Sequence, residues 1–434
     1  MVSTTDGYTA TYSRSGLVVG AGQMKVITQD VTDALAPQPA RDLMSDGEAA
    51  NCYVVSYPSQ EYSFDATIAG NGVVTSGLQQ AVLRYEGRTL STRLSGTSAR
   101  LLWQSMPYLI EPGSVAYEGG KIRFKLTERP TQLGGNAVIG LFADDEATEA
   151  LWSWHIWITD TTAEELSSLA ETYVMFADYE AVYGSGSAVM MDRNLGAVYK
   201  EDGAYARSFR APLYQWGRKD PFPWGTVVFD GQNVPHTYVS TWQPVQSSGS
   251  PGQYAGYTGN TWYATAHPDT FIATLDGTSY DWYYGGGKGN GPDYRNNELW
   301  GNPTGYTVGQ TTVKTLFDPC PPGWKMPHPY VFSAFTKTGT SATVASGNTN
   351  ITGNFVQGWN FVYNGVDGTY YPGVGYRYDE YGTFFFAPSG YYWSSAPAPS
   401  DTFGAWVFGL TGANVYERYS DPRGFGLPVR CMKE

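Results

Sequence analysis

Three segments set the character of this chain: KIRFKLT at 121–127, NAVIGLFA at 136–143 and LWSWHIWI at 151–158. The first and third have the two-residue period of a strand, not the 3.6-residue period of a helix. In the first, Ile122, Phe124 and Leu126 point one way and Arg123 and Lys125 the other, as a half-buried strand requires. The second is an almost unbroken apolar run and fits a central strand. In the third, Trp152, Trp154, Ile156 and Ile158 share one face, with Ser153, His155 and Trp157 on the opposite face. A fourth strand is expected over Asn51–Ser56, and the spacing predicts a β-sandwich of about 100–120 residues. A short helix should follow it. Thr162-Ala163-Glu164-Glu165 fits a capping box, and Leu166, Leu169 and Tyr173 recur at helical spacing.

A chain of 434 residues is long enough for two or three domains. Residues 1–45 contain only short alternation (TATYS, MKVIT) and a proline-bearing loop, so they are not assigned to a domain. The sandwich is placed at 46–180. From 181 to 434 the chain turns dense in Gly, Tyr, Trp, Asn and Pro. Here APLYQWGRKD (211–220) and HPYVFSAFTKTG (328–339) are expected to be short helices, each begun by its proline. GTFFFAPSGYYWSS, GAWVFGLTG and NVYERYS read as strands of one sheet. No repeat period is present. The expected class is therefore multi-domain and mainly β.

The net charge of -13 opposes nucleic-acid binding, and no basic cluster interrupts it. No apolar run reaches the roughly 18 residues of a membrane helix, and MVSTTDGYTA lacks the basic and apolar regions of an export signal. Catalytic patterns are also missing. His155 reads as a strand residue, and His236, His267 and His328 each sit beside a proline, which suits turns. GGGKGNG (285–291) lacks the ending of a phosphate loop, and Asp144-Asp145 reads as a turn. Asp293, Asn296, Asn297 and Glu298 form an oxygen-rich run that could approach a cation, but a solvated loop is the preferred reading. The expectation is no enzyme, no cofactor and no metal.

Aromatic residues are the remaining signal. Trp262, Tyr263, Trp282, Tyr283, Tyr284, Tyr294 and Trp300 lie in the glycine-rich stretch 240–310, among Asn and Asp. Rings beside amide and carboxylate groups suit stacking on sugars or entry into a protein pocket. The competing reading makes them the core of a loop-rich domain.

ANCYVV, GNAVIGLF, LWSWHIWITD, MMDRNLGA, LYQWGRKDPFP, NELWGNP, DPCPPGWKMP, YYWSSAP and GLPVRCMKE occur in this order. Together they resemble the exported fimbrillin-type surface proteins of anaerobic Gram-negative gut bacteria. The C-terminal half looks like the major paralogous module, an α+β, loop-rich relative of the C-type-lectin-like and sulfatase-modifying-factor folds. The resemblance implies an exported, surface-displayed chain, anchored at the outer membrane in its precursor or built into a pilus, whose signal is absent from this sequence. It further implies an adhesin or pilus tip or accessory subunit that presents the lectin-like module to a glycan or protein, with other pilus subunits as possible partners. A surface carbohydrate-capture protein of a glycan-uptake system is the alternative. Cys320 and Cys431 would be a disulfide in such a module, or else two buried thiols; Cys52 has no obvious mate. The calcium-binding EPN or QPD and WND elements of true C-type lectins are absent: Gln243-Pro244-Val245 and Trp393-Ser394-Ser395 stand instead. The copper-oxidase chemistry of the sulfatase-modifying branch would need two further cysteines close together, and only Cys52 remains.

Overall fold

The computed structural model describes residues 39–128, 134–175, 186–199, 211–238, 258–274, 280–283, 295–304, 312–363, 366–398 and 403–434, with the backbone of the pairs 2–3, 9–10 and 243–244. Its architecture is mainly β.

The expected strands pair into a six-stranded sheet. Its order is Pro235–Thr237, Val227–Phe229, Ser98–Gln104, Gly135–Phe142, Ala150–Ile158 and Cys52–Val55. Only the last pairing is parallel, with His155 opposite Cys52 and Ile158 opposite Val55. Against one face lies a four-stranded sheet, Arg41–Asp42, Glu61–Asp65, Lys121–Lys125 and Ala116–Glu118. Phe64 bridges the two layers, 4.9 Å from the Tyr53 ring and 5.0 Å from Trp154. Ile122, Phe124 and Leu126 are fully buried between them, as their alternation requires. The helix Ser76–Glu86 completes this half. Pattern reading does not anticipate it, although Thr75 caps its start, Gly87 stops it at φ 66°, and Leu78, Val82 and Tyr85 share its buried side.

The other face of the six-stranded sheet is not exposed. The C-terminal half covers it, and a series of polar groups is matched across the seam. Tyr214 Oη lies 3.1 Å from His155 Nδ1, and His155 Nε2 lies 2.8 Å from Asn136 Oδ1; Asn136 Nδ2 donates in turn to Gly196 O at 3.0 Å. A neutral ring with the proton on Nε2 satisfies the whole chain, and burial holds His155 neutral by pushing its pKa down to about 3. Trp157 Nε1 donates to Ala197 O, and Asn51 Nδ2 donates to Leu316 O and Asp318 O. Lys219 Nζ donates to Ser153 O and to Asp220 Oδ1 at 2.6 Å, while Ser153 Oγ donates to the same carboxylate oxygen.

These contacts correct the expected division at 180. One apolar core runs from Cys52 through Trp157, Trp216, Trp300 and Cys320 to Cys431. Val227–Phe229 and Pro235–Thr237 extend the first half's sheet, through Phe229 opposite Gln104. Conversely, Glu171–Val174 joins Ser187–Met190, Met432–Lys433 and Trp324–Lys325 in a sheet of the C-terminal half. A composition shift marks where loops become abundant, not where a core ends. Residues 1–38 lie outside the described residues, apart from the pairing of Val2–Ser3 with Thr9–Ala10.

The C-terminal half has its own second core under a sheet of Ala342–Thr343, Asn414–Pro422, Gly404–Leu410 and Gly390–Pro397. Phe335 stacks on Phe361 at 4.2 Å and Phe332 on Phe408 at 4.8 Å. Of the strands expected to share this sheet, Phe384–Phe385 departs, pairing with Tyr376–Arg377 in another. The capping box is present at Thr162 and Glu165, yet the helix covers only Ala163–Ser168. Leu169 is its C-cap and Tyr173 is a buried strand residue, because the chain leaves the helix to pair with Ser187–Met190. The 211–220 segment is not a helix either. Tyr214–Gln215 pairs with Gly426–Leu427, and Gly217 adopts φ 88°, with room for no Cβ beside Leu299. The second expected helix forms as a 3-10 helix, Pro329–Phe335.

Cys320 and Cys431 are bonded across a separation of 111 residues, with Cα atoms 6.1 Å apart. In the chain-entropy view such a loop contributes about 4–5 kcal/mol. The bond is locked at both sides. Asp318 accepts from Cys320 N and Met326 N, and Lys314 Nζ donates to Asp318, Cys320 O and Trp324 O. Beyond it, Trp324 and Lys325 pair with Lys433 and Met432. Cys52 is a free, buried strand residue whose thiol is pushed up by burial.

Two outcomes follow. A fragment starting at 181 should lack fixed packing, because Tyr214, Ala197 and Lys219 lose their partners. Near-UV circular dichroism should show a collapsed signal, and a native-like spectrum would refute the shared core. Glu417 is 3% exposed with Oε2 unbonded, and burial raises its carboxyl from 4.5 to about 7, opposed by Arg418. The folded state therefore keeps a proton that the unfolded state releases, so this contribution is present below pH 4.5 and lost as pH rises through 7. Glu417→Gln should raise stability by up to about 3 kcal/mol at pH 8 and change it little at pH 4, read by denaturant titration.

Candidate functional site

A cleft of about 450 Å³ opens where the two halves meet. Trp152 and Phe317 form its floor, their rings stacked 5.9 Å apart, so each half supplies one. Three segments make the walls. The first is the loop Arg88–Leu94 after the helix Ser76–Glu86. Gln79 holds it, donating to Arg88 O and accepting from Leu90 N at 3.0 Å. The second is the turn from Ala143 to Leu151, closed by Asp144 Oδ1 accepting from Glu146 N and Ala147 N. Arg100 donates to Ala147 O and ties the turn to the sheet. Asp144 is thus the turn residue its sequence context suggests.

The third wall is the helix Thr261–Ala266, capped by Asn260 Oδ1 accepting from Tyr263 N at 2.8 Å. Glu86 fastens it across the cleft base, accepting from Thr261 N at 3.0 Å and Thr261 Oγ1 at 2.8 Å. Burial raises the Glu86 carboxyl, and these bonds to Thr261 oppose the rise. Trp262 projects from this helix with 48% of its surface exposed. The Arg88 guanidinium lies 4.4 Å over its ring. Tyr263 is half-buried and packs on His267 at 4.3 Å, and His267 Nε2 lies 3.7 Å from Glu149. Burial lowers the His267 pKa, against the pull of Glu149.

Of the seven aromatic candidates, only Trp262 lines this cleft among the described residues; Tyr263, on the same helix, packs on His267 instead. Three others are corrected. Trp282, Tyr283 and Trp300 are enclosed and offer no ring face to a solute. Trp282 Nε1 donates to Trp216 O at 2.7 Å, and Trp300 Nε1 to Phe317 O at 3.1 Å. Tyr283 packs edge-on against Tyr85. An indole whose N–H is bonded to a buried carbonyl is a core residue. Tyr284 and Tyr294 lie outside the described residues. Other polar residues of the cleft, among them Arg88, Arg93, Thr148 and Glu149, escape sequence reading because no local pattern joins a post-helix loop to a hairpin turn and a distant helix.

Two side chains of the oxygen-rich run have protein partners. Asn296 Oδ1 accepts from Glu298 N, and Asn297 Oδ1 accepts from Arg423 at 2.8 Å; Asp293 lies outside the described residues. Among the described residues no group of three His, Cys, Asp or Glu could hold a metal. Ser153, Lys219 and Asp220 have the residue types of a nucleophile and its base, and burial lowers the lysine pKa against Asp220. All three are enclosed, however, and their bonds are spent on joining the halves. Asp192-Arg193-Asn194 serves as a buried anchor: Arg193 is bidentate to Asp192, and Asn194 Oδ1 accepts from Arg430. No described helix is long and apolar enough to cross a membrane, which says nothing of a β-barrel. Comparison with family models, curated proteins and solved structures finds no match for this chain.

Burial separates the two tryptophans experimentally. Trp282→Ala should cost about 3–5 kcal/mol of stability as a large cavity in the core, whereas Trp262→Ala should stay within about 1 kcal/mol. Denaturant melts of both variants test this, and equal losses would contradict the assignment.

Proposed function

We propose that this protein is a non-enzymatic cell-surface adhesin, of the pilus tip or accessory type, and that it binds a glycan in the Trp262 cleft. The observation that carries the reading is the half-exposed Trp262 ring at the mouth of a walled cleft, with Arg88 held over it and hydroxyl, guanidinium and carboxylate groups around it. A pyranose presents an apolar C–H face for such a ring and a rim of hydroxyls for the polar groups. Loops held by Gln79, Asp144 and Glu86 are already in place, so little ordering would oppose binding. Glu149 is the one carboxylate among the described lining residues, whereas hydrolysis of a glycosidic bond uses a pair. The Cys320–Cys431 bond supports export, since such bonds persist in oxidising compartments.

A glycan array on the whole chain tests the proposal. Saccharide binding should appear with the native protein and weaken roughly tenfold in Trp262→Ala, the loss of about one ring's stacking. An empty array, or a hit insensitive to Trp262→Ala and Arg88→Ala, would overturn it.

A further inference from the structure

The Trp262 cleft holds more than a ring. Two arginines line it, Arg88 and Arg93, both from the loop that follows the helix Ser76–Glu86. Their main chain is held in place. Arg88 O accepts from Gln79 Nε2, and the Arg88 guanidinium lies 4.4 Å over the Trp262 ring. Arg93 forms a β-bridge with Ile68, flanked by Ala69 N donating to Thr92 O and Leu94 N to Thr67 O, both at 2.9 Å. Ser91 Oγ accepts from Arg93 N at 3.1 Å. Two cations are thus presented to the cleft by a backbone that is already ordered.

Neither guanidinium is spent on the protein. The chain has 40 acidic and 27 basic side chains, yet among the described residues no carboxylate pairs with Arg88 or Arg93. Other cations of this half do find partners: Lys121 meets Asp42, Lys125 meets Glu111, and Arg100 donates to Ala147 O. Glu86 feels the Arg88 charge, but its oxygens accept from Thr261 N and Thr261 Oγ1. Arg88 therefore touches a ring and meets no acceptor oxygen, and Arg93 meets neither. Glu149, the one carboxylate among the described lining residues, stands on a different wall, 3.7 Å from His267. The cleft is polarised, with N–H donors on the post-helix loop and an acceptor on the turn. A guanidinium binds a carboxylate through two parallel bonds, each stronger than one to a neutral hydroxyl. A net charge of -13 gives anions no general attraction, so an acidic ligand would be held by such local pairs alone.

We propose that the ligand of the Trp262 cleft is an acidic saccharide, whose carboxylate pairs with Arg88 and Arg93 while its ring stacks on Trp262 and its hydroxyls donate to Glu149. This rests on the glycan reading and narrows it to one chemical class. The test is titration calorimetry on the full chain with saccharide pairs that differ only in esterification: trigalacturonate and its methyl ester, and sialyllactose and its methyl ester. In at least one pair the acid should bind roughly tenfold more tightly than the ester. Arg93→Ala should bring that preference close to one, and Arg93→Lys, which keeps the charge, should retain part of it. Trp262→Ala should weaken acid and ester alike. Equal binding of acid and ester, both weakened by Trp262→Ala, would overturn this proposal and leave the glycan reading standing. Binding of no acid would overturn it, and an empty glycan array beside that result would remove both. A preference for the acid that survives Arg88→Ala and Arg93→Ala would also overturn it. So would a short peptide of alternating Glu and Gly that binds as tightly as the acidic saccharides.

Discussion

The second face of the six-stranded sheet governs the rest of the structure. Ser153, His155 and Asn136 would be unremarkable on a solvated face. Buried, each needs a partner, because an unpaired polar group costs on the order of 1–3 kcal/mol. Lys219, Asp220, Tyr214 and Gly196 O supply those partners from the C-terminal half. The two halves are therefore tied by complementary polar groups as well as by apolar area. Such a seam also specifies one arrangement, since removing either side strands the other.

Buried charges follow the same logic elsewhere. Arg430 spends its donors on Asn194, Thr369 and Tyr370 O, with its guanidinium 3.7 Å over the Tyr371 ring. Arg218 donates to Thr270 O and Ala264 O, and Lys314 to Cys320 O and Trp324 O. In each case a long cationic side chain satisfies main-chain carbonyls, and Thr270 O and Cys320 O among them lie in segments with little regular structure. That is how a glycine- and proline-rich half holds a fixed shape: side chains do the bonding that helices and long strands do elsewhere. The disulfide acts in the same place, fixing the last strand to the loop that Lys314 and Asp318 organise. The cleft is a by-product of the seam. Its floor takes one ring from each half, and Glu86 anchors the Trp262 helix to the opposite half.

Much of the fold was legible in local sequence. The alternation of KIRFKLT, the apolar run of NAVIGLFA and the capping box at Thr162 each depend on near neighbours, and each appears where its pattern places it. Where local reading went astray, a distant partner had intervened. APLYQWGRKD is held extended by Gly426–Leu427, and Trp282 and Trp300 are drawn inward by the carbonyls of Trp216 and Phe317. Composition could say that the 240–310 stretch is rich in rings, but not which rings face water.

What the sequence determined alone was strand character, the mainly β class, and a charge that disfavours nucleic acid. Those properties follow from period and composition, which are local or additive. Only the tertiary structure decided that residues on both sides of 180 share one core, and that Trp262 remains exposed while Trp282 does not. It also decided that Arg88, Glu149 and Trp262 meet in one cleft. Exposure and convergence depend on which distant surfaces cover a residue, and no local pattern encodes that.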